Sequence, residues 1–249
     1  MLFTKTSPIC YDAAGEWPRG TLIFFGTGFG MTMNNIHTII FDMDGTVLNT
    51  LEDLTDSVNY VLKQFGFPER TQEEYRQFFG SGIRYAISRA VPAGTPESVI
   101  DEMIPVFKAH YDVHCLDKTR PYDGIQDTLR RLKEKGYKLA IVSNKIDSAV
   151  KELNERFFQD AVDVAIGEQP GIRRKPAPDM VMASLAQLNS NPAEAVYVGD
   201  SEVDLETAAQ SGLPCISVLW GFRDREFLLE KGATILAEKP EEIISRVMD

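Results

Sequence analysis

The chain has 249 residues, of which 43% are hydrophobic and 25% are charged, so it can bury a core and is neither disordered nor fibrous. Its 26 basic and 37 acidic residues give a net charge of −11, which argues against general binding to nucleic acid or to anionic membranes. A protein with this charge needs a cation at its site if it handles an anionic substrate.

The cysteines and the apolar runs indicate a cytoplasmic protein. The three cysteines are too scattered for a disulfide framework or for a cysteine-ligated zinc site. No stretch approaches the ~18 apolar residues of a transmembrane helix, and the first residues make a poor secretory signal.

Residues 1–34 differ from the rest of the chain, because they contain five of the 18 glycines and show no helical period. We interpret them as an N-terminal extension, either disordered or non-native, with Met31 or Met33 as an alternative start.

From residue 36 onward, short β-branched and apolar runs alternate with helical stretches. This alternation predicts an α/β fold, a Rossmann-like core of three layers in which helices cover both faces of a parallel sheet. We assign residues 35–48 and 118–249 to this core. Ligands bind at the carboxyl ends of the strands in such sheets. The predicted strands cover residues 37–41, 138–143, 162–166, 195–199, 215–219 and 233–236.

Residues 49–117 interrupt the alternation. Apolar residues between 51 and 65 fall on one helical stripe, and further helices are predicted over 73–79, 83–90 and 97–115, with Pro105 kinking or splitting the last one. We therefore expect an all-helical cap domain over the strand ends.

Two aspartates end the first predicted strand. Asp42 and Asp44 project to the same side of an extended chain, and Gly45 then permits a tight turn. Such a pair can divide into a nucleophile or metal ligand and a general acid/base. The alternative is a pair of capping aspartates in a solvated loop.

Three later strand ends carry polar residues of the same kind. Ser143 ends the second predicted strand and Asn144 follows it, Lys175 lies in a proline-stiffened loop after the third, and Asp200 and Asp204 follow the fourth. Each has a structural alternative, namely a surface serine, a solvated basic loop and a helix cap. Their occurrence at four successive strand ends favours one shared site.

These motifs resemble those of the haloacid dehalogenase-like superfamily over residues 36–249. The matching patterns are DxDGT at 42–46, the serine Ser143, KPxPD at 175–179 and GDxxxD, whose aspartates are Asp200 and Asp204. The helical insert is similar to the cap of the phosphoglycolate phosphatase-like branch.

The resemblance implies a role for each matched residue. Asp42 would attack phosphorus and form an aspartyl-phosphate, and Asp44 would protonate the leaving oxygen and then activate water. Mg²⁺ would be held by Asp42, the backbone carbonyl of Asp44 and Asp200. Phosphoryl oxygens would be held by Thr46, Ser143 and the Asn144 amide, whereas Lys175 would neutralise charge and Asp204 would orient Lys175 or a metal-bound water.

Three further patterns lie outside these motifs. The Gly80-Ser-Gly82 turn resembles a cap loop of this branch, so Arg84 is a candidate for binding a substrate carboxylate or second phosphate, or else an exposed helix arginine. The glycines at 26–30 lack the spacing of a nucleotide loop. His110 and His114 lack a third zinc ligand.

The motifs and the resemblance together predict Mg²⁺-dependent hydrolysis of a small phosphomonoester, and the resemblance of the cap implies phosphoglycolate as the leading substrate. A sugar-phosphate mutase or a pyrophosphatase uses the same core, and a non-catalytic phosphate-sensing protein is the alternative from another class. The expected partner is a small phosphorylated metabolite, with no nucleic acid or membrane, for a monomer or homodimer.

Overall fold

The computed structural model describes residues 35–248, which form eight strands and ten α-helices. The proposed N-terminal extension and the glycines at 26–30 lie outside the described residues. The strands are β1 (Thr38–Phe41), β2 (Leu48–Asn49), β3 (Arg120–Pro121), β4 (Lys138–Ile146), β5 (Val164–Glu168), β6 (Ala195–Gly199), β7 (Cys215–Val218) and β8 (Ile235–Ala237). The helices are α1 (Leu51–Gln64), α2 (Gln72–Phe78), α3 (Ile83–Ala90), α4 (Glu97–His114), α5 (Ile125–Glu134), α6 (Asp147–Phe157), α7 (Asp179–Gln187), α8 (Glu202–Ser211), α9 (Arg225–Glu230) and α10 (Glu242–Met248).

Six strands form one sheet in the order β5-β4-β1-β6-β7-β8, and every neighbouring pair in it is parallel. Strand β1 lies at its centre and is buried along its whole length, as its β-branched and apolar sequence TIIF predicts. Because β4 and β6 flank β1, the residues that follow these three strands emerge side by side at one edge.

Two hydrophobic clusters cover the two faces of this sheet. Ile39 and Phe41 of β1 pack in the cluster that includes helices α5, α6 and α10. Ile40 points to the opposite face and packs in the cluster that includes α7 and α8. This alternation along one strand produces the three layers, so the predicted α/β fold is confirmed.

Helices α1 to α4 form a cap with a hydrophobic cluster of its own. Leu54, Val58 and Val61 lie on the buried stripe of α1, as the period predicts. A capping box between Thr71 and Glu74 begins α2. The chain enters and leaves the cap through β2 and β3, which pair antiparallel. The exact domain limits remain a prediction.

The structure differs from the sequence analysis in a few elements. Helix α4 is continuous through Pro105 rather than split, and helix α10 and the β2–β3 ribbon were not predicted. Two-residue strands carry no readable alternation, which explains why the ribbon was missed. Within residues 35–248, no helix combines the length and apolar character needed to cross a bilayer.

Candidate active site

The predicted site residues come together at the carboxyl edge of the sheet. Asp42 follows β1, Asp200 follows β6, and Ser143 lies in the last part of β4. Lys175 lies in the loop between β5 and α7, and its amine contacts Asp42 at the same edge. All four are at most 5% exposed, so these charges and hydroxyls meet in a largely dehydrated space.

The turn after β1 brings the Asp42 segment against Asp200. Gly45 has φ +84°, and a Cβ there would lie 2.3 Å from Oδ2 of Asp200. Only glycine therefore fits, for both its conformation and the close approach. Thr46 Oγ1 lies 3.2 Å from Asp200 Oδ1 and donates a hydrogen bond to it.

Lys175 joins two carboxylates inside the site. Its Nζ lies 2.8 Å from Oδ1 of Asp42 and 2.8 Å from Oδ1 of Asp204. Burial alone favours the neutral amine, but the carboxylates of Asp204 and Asp42 outweigh it and raise the pKa of Lys175 well above its usual range. Lys175 is therefore a permanent positive charge at this position.

Burial disfavours the ionised forms of the two carboxyl groups nearest the strand ends. Burial, followed by repulsion from Asp204, raises the pKa of Asp42 well above its usual range, although Lys175 opposes this. Burial, again followed by Asp204, raises the pKa of Asp200 to about 7. A further cation at this place would let both groups ionise at neutral pH.

Asp204 is occupied by protein donors on both of its oxygens. Oδ1 accepts from Lys175, and Oδ2 accepts from the backbone N–H of Asp200 at 3.2 Å and from the N–H and hydroxyl of Ser201 at 3.1 and 2.7 Å. Asp204 thus closes the capping box in the first turn of helix α8 and contacts Lys175, as one of its two predicted roles requires.

The carboxylates suit a divalent cation. Ligand oxygens of Asp42, Asp200 and Asp204 all lie within 4.8 Å of one another. Because protein donors saturate Asp204, Asp42 and Asp200 are the two available to a metal. When ionised, the three carboxylates exceed the single positive charge of Lys175 by two, which a divalent cation would balance. The possible ligands are all oxygen atoms, which Mg²⁺ prefers. The residues present therefore fit the metal that the motifs imply.

Asp44 pairs with a lysine that the sequence analysis did not single out. Nζ of Lys145 lies 3.0 Å from Asp44 Oδ1 and donates to the hydroxyl of Tyr111 at 2.9 Å. Tyr111 belongs to α4, so this chain of contacts runs from the cap to Asp44. Lys145 directly follows Asn144, a position that could have suggested it, whereas nothing local in the sequence distinguishes Tyr111.

Ser143 and Asn144, for which a phosphate-binding role is predicted, both line the cavity described below. Ser143 Oγ accepts from the backbone N–H of Lys145 at 3.2 Å. The side-chain amide of Asn144 donates to the carbonyl oxygens of Gly80 and Lys175 at 3.2 and 3.1 Å, which ties the cap loop to the lysine loop. Thr46 contacts Asp200 instead, and the roles of all three residues toward phosphate remain predictions.

A cavity of about 260 Å³ lies between the cap and the sheet edge. Asp42, Asp44 and Ser143 line its floor, and Ile83, Ile104 and Phe107 of the cap contribute apolar walls. Five basic residues also line the cavity together with Glu168, namely Arg84, Lys108, Lys145, Arg174 and Lys175.

Arg84 lines this cavity, but it also has partners within the cap. Its Nη2 lies 2.7 Å from Glu97 Oε2 and 3.0 Å from Asp101 Oδ1. A substrate anion would have to share the guanidinium with these two carboxylates. The role of Arg84 remains a prediction.

His110 and His114 lie on the outer side of the cap with partners of their own. His110 Nδ1 is 3.1 Å from Ser57 Oγ, and His114 Nδ1 is 2.7 Å from Asp117 Oδ2. Among residues 35–248, the one group of three potential metal ligands is the aspartate cluster at the sheet edge.

Comparison with known proteins supports a single family. The model of the haloacid dehalogenase-like hydrolase family matches residues 39–218. A phosphoglycolate phosphatase of Aquifex aeolicus is 30% identical over 188 residues, which cover 75% of this chain and 86% of the relative. The pyrophosphatase PpaX of Anoxybacillus flavithermus is 31% identical over 216 residues, which cover 85% and 96%.

Solved structures agree in fold. A protein of Lactobacillus delbrueckii subsp. bulgaricus, whose name as a phosphoglycolate phosphatase is provisional, is 39% identical with a TM-score of 0.82, covering 86% of this chain and 98% of its own. CbbY of Rhodobacter sphaeroides, solved in complex with phosphate, is 27% identical with a TM-score of 0.65, covering 86% and 100%.

Proposed function

Because the chain belongs to the haloacid dehalogenase-like hydrolase family, we propose that its buried aspartates hydrolyse a small phosphomonoester through an aspartyl-phosphate on Asp42. The chain is a phosphatase of the phosphoglycolate phosphatase-like branch. The observation that supports the residue assignment is the buried ionic chain Asp42–Lys175–Asp204, of which Asp42 and Lys175 line the cavity.

Each residue then has a task that its position allows. A carboxylate oxygen of Asp42 attacks phosphorus, and Asp44 gives a proton to the leaving oxygen and later takes one from the attacking water. Lys175 balances charge that builds on the phosphoryl oxygens, while the Ser143 hydroxyl and the backbone N–H of Asn144 supply hydrogen bonds to them. Asp204 keeps Lys175 in place.

We assign Mg²⁺ to Asp42, Asp200 and the backbone carbonyl of Asp44. When bound, the cation supplies the positive charge that lets a phosphate dianion approach the carboxylates. The raised pKa values of Asp42 and Asp200 support this assignment, because burial and then the Asp204 carboxylate disfavour their ionised forms, which a bound cation would favour.

The cavity favours an organic leaving group. Ile83, Ile104 and Phe107 offer apolar contacts to carbon atoms, and the basic lining residues suit a leaving group with a second negative charge. Phosphoglycolate, which combines a short carbon segment with a carboxylate, fits this combination. Pyrophosphate is a second candidate because PpaX proteins are among the relatives, although it would leave the apolar wall without a partner.

A substrate panel tests this function. We expect release of orthophosphate from small carboxylated phosphomonoesters in the presence of Mg²⁺, none after chelation, and slower release from pyrophosphate. Formation of a sugar-phosphate isomer without orthophosphate would indicate a mutase. Binding of phosphate without turnover of any member would indicate a sensing protein.

The thermal stability of the protein should respond to Mg²⁺ in a pH-dependent way. Since the pKa of Asp200 is raised from 3.8 to about 7, the metal-free folded protein holds a proton there that the unfolded chain releases. The stability that this group contributes without metal is therefore present at low pH and lost as pH rises toward 7. We expect Mg²⁺ to raise Tm more at about pH 8 than at about pH 5.5, because at the lower pH it must displace the proton.

Scanning calorimetry with MgCl₂ against NaCl of equal ionic strength measures this difference. Asp200→Asn serves as the control and should lose the Mg²⁺-dependent increase at both pH values. An equal increase at both pH values in the unmodified protein would contradict the assignment of Asp200.

Arg84 should affect carboxylated substrates selectively. We expect Arg84→Ala to raise KM for a carboxylated phosphomonoester about fivefold, with little change for para-nitrophenyl phosphate, since the guanidinium is shared and partly exposed. Steady-state kinetics on both substrates measures the difference. Arg89→Ala, on the same helix but outside the cavity lining, is the control, and equal effects on both substrates would remove Arg84 from substrate recognition.

A further inference from the structure

The segment between β7 and α9 makes contacts that neither the motifs nor the comparisons explain. Residues 220–223, which we call the tether, lie 20 residues or more after Asp200 in the chain, yet they touch the metal-binding carboxylate, the turn after β1 and the cap. Each of these contacts uses a different atom of the tether.

On the core side, the tether holds Asp200 and the neighbouring turn. The backbone N–H of Phe222 donates to Asp200 Oδ2 at 2.6 Å, and the indole N–H of Trp220 donates to the carbonyl of Thr46 at 2.9 Å. A Cβ at Gly221 would lie 2.3 Å from Cβ of Asp200 and 2.5 Å from the carbonyl oxygen of Gly45, so the backbone passes against both. A displacement of the tether therefore displaces a donor to Asp200.

On the cap side, the same residues enter the cap cluster. The Phe222 ring is 6% exposed and packs among the buried cap residues, with its centroid 6.4 Å from that of Phe79. Arg76 of α2 donates to the carbonyl of Gly221 at 3.0 Å. The tether thus belongs to the core domain, but its Phe222 side chain is part of the hydrophobic cluster of the cap.

Arg223 connects these two sides through one buried guanidinium. Its Nε and Nη2 donate to the two carboxylate oxygens of Glu202 at 2.7 and 3.0 Å, and Glu202 lies two residues after Asp200. Nη2 also donates to the carbonyl of Phe79 at 3.1 Å, and Nη1 donates to the carbonyl of Arg76. These carbonyls lie at the C-terminal end of α2, where the helix itself supplies no donors.

We infer that Arg223 is a positioning residue that couples closure of the cap to the orientation of the metal-binding carboxylate Asp200. When α2 moves away, the guanidinium loses two of its acceptors, and the Phe222 ring leaves the cap cluster. The N–H that fixes Asp200 then moves with the tether. Metal affinity is consequently highest with the cap closed. This inference rests on the proposed function, because it takes Asp200 as a metal ligand.

Substituting Arg223 should weaken metal binding in a folded protein. Loss of groups that orient a metal ligand typically costs about 10- to 100-fold in metal affinity, and we expect a loss of about tenfold for Arg223→Met. Arg223→Lys keeps the charge next to Glu202 but cannot reach both carboxylate and carbonyl acceptors, so about threefold weaker binding is expected. Arg130→Met, at an exposed arginine of α5, is the matched control and should bind as the unmodified protein does.

Calorimetric titration of Mg²⁺ into the metal-free, full-length variants measures the affinity, with Tm recorded to establish folding. Hydrogen exchange over α2 should be faster in Arg223→Met, and saturating Mg²⁺ should restore most of kcat. If Arg223→Met does not fold, Arg223→Lys decides the question. A lower Tm with unchanged metal affinity would overturn the inference alone, whereas absence of binding by the unmodified protein would overturn the metal assignment and the inference with it.

Discussion

Asp42→Asn should abolish turnover, lowering kcat by more than about 10³-fold, which corresponds to about 4 kcal/mol of transition-state stabilisation. The amide cannot attack phosphorus, so no aspartyl-phosphate forms. The side chain otherwise fits, because its Oδ1 can still accept from the backbone N–H of Met43 and from Lys175. We therefore expect an inactive protein with an intact fold.

Orthophosphate release together with Tm measures this expectation. Tm should not fall, since the variant removes a carboxylate that burial and Asp204 repulsion disfavour. Asp127→Asn, at an exposed position of α5, is the matched control and should retain full activity. Turnover by Asp42→Asn at the unmodified rate would exclude Asp42 as the nucleophile.

Lys175→Met should have the largest effect on stability as well as a large one on catalysis. Removing the amine leaves Asp42 and Asp204 buried without their common partner, and the loss of one member of a buried ion pair typically costs about 3–5 kcal/mol. For a chain of this length that corresponds to about 10 °C in Tm. We also expect kcat to fall by about 10²-fold, because charge on the phosphoryl oxygens loses its counterpart.

A second substitution separates charge from packing in this variant. Asp204→Asn added to Lys175→Met should recover part of the lost stability, since it removes one of the stranded charges while asparagine can still accept from the Ser201 donors. Lys151→Met, whose amine pairs with Asp147 on the surface of α6, is the control and should leave Tm within about 1 °C. If Lys175→Met unfolds at the same temperature as the unmodified protein, the buried ionic chain does not stabilise the fold.

Much of the core follows from local sequence patterns. The run TIIF predicts β1 because β-branched and apolar residues without polar interruption suit a strand covered on both faces. The alternation of such runs with amphipathic stretches is sufficient to predict parallel strands and helices in three layers. It cannot predict β2 and β3, which are two residues long and owe their pairing to the path of the chain into the cap.

The candidate site follows from the same logic only in part. Asp42, Ser143 and Asp200 each lie at the carboxyl end of a predicted strand, and parallel strands end at a common edge, so their proximity could be expected. Lys145 and Tyr111 could not be brought together in this way. Their contact depends on how α4 lies over the core, and the hydrophobic period of α4 fixes which face is buried but not which residue of that face meets Lys145.

The sequence by itself thus determined the layered core, the helical insert and the four motifs of a phosphatase, because each depends on residues close together in the chain. The tertiary structure decided what surrounds those motifs. It placed Arg84 between Glu97 and Asp101, and it brought Arg223 to backbone carbonyls 147 and 144 positions away. Contacts between residues so far apart in the chain depend on how the hydrophobic clusters of the cap and the core pack together. That packing depends on the shapes of whole surfaces rather than on any local period.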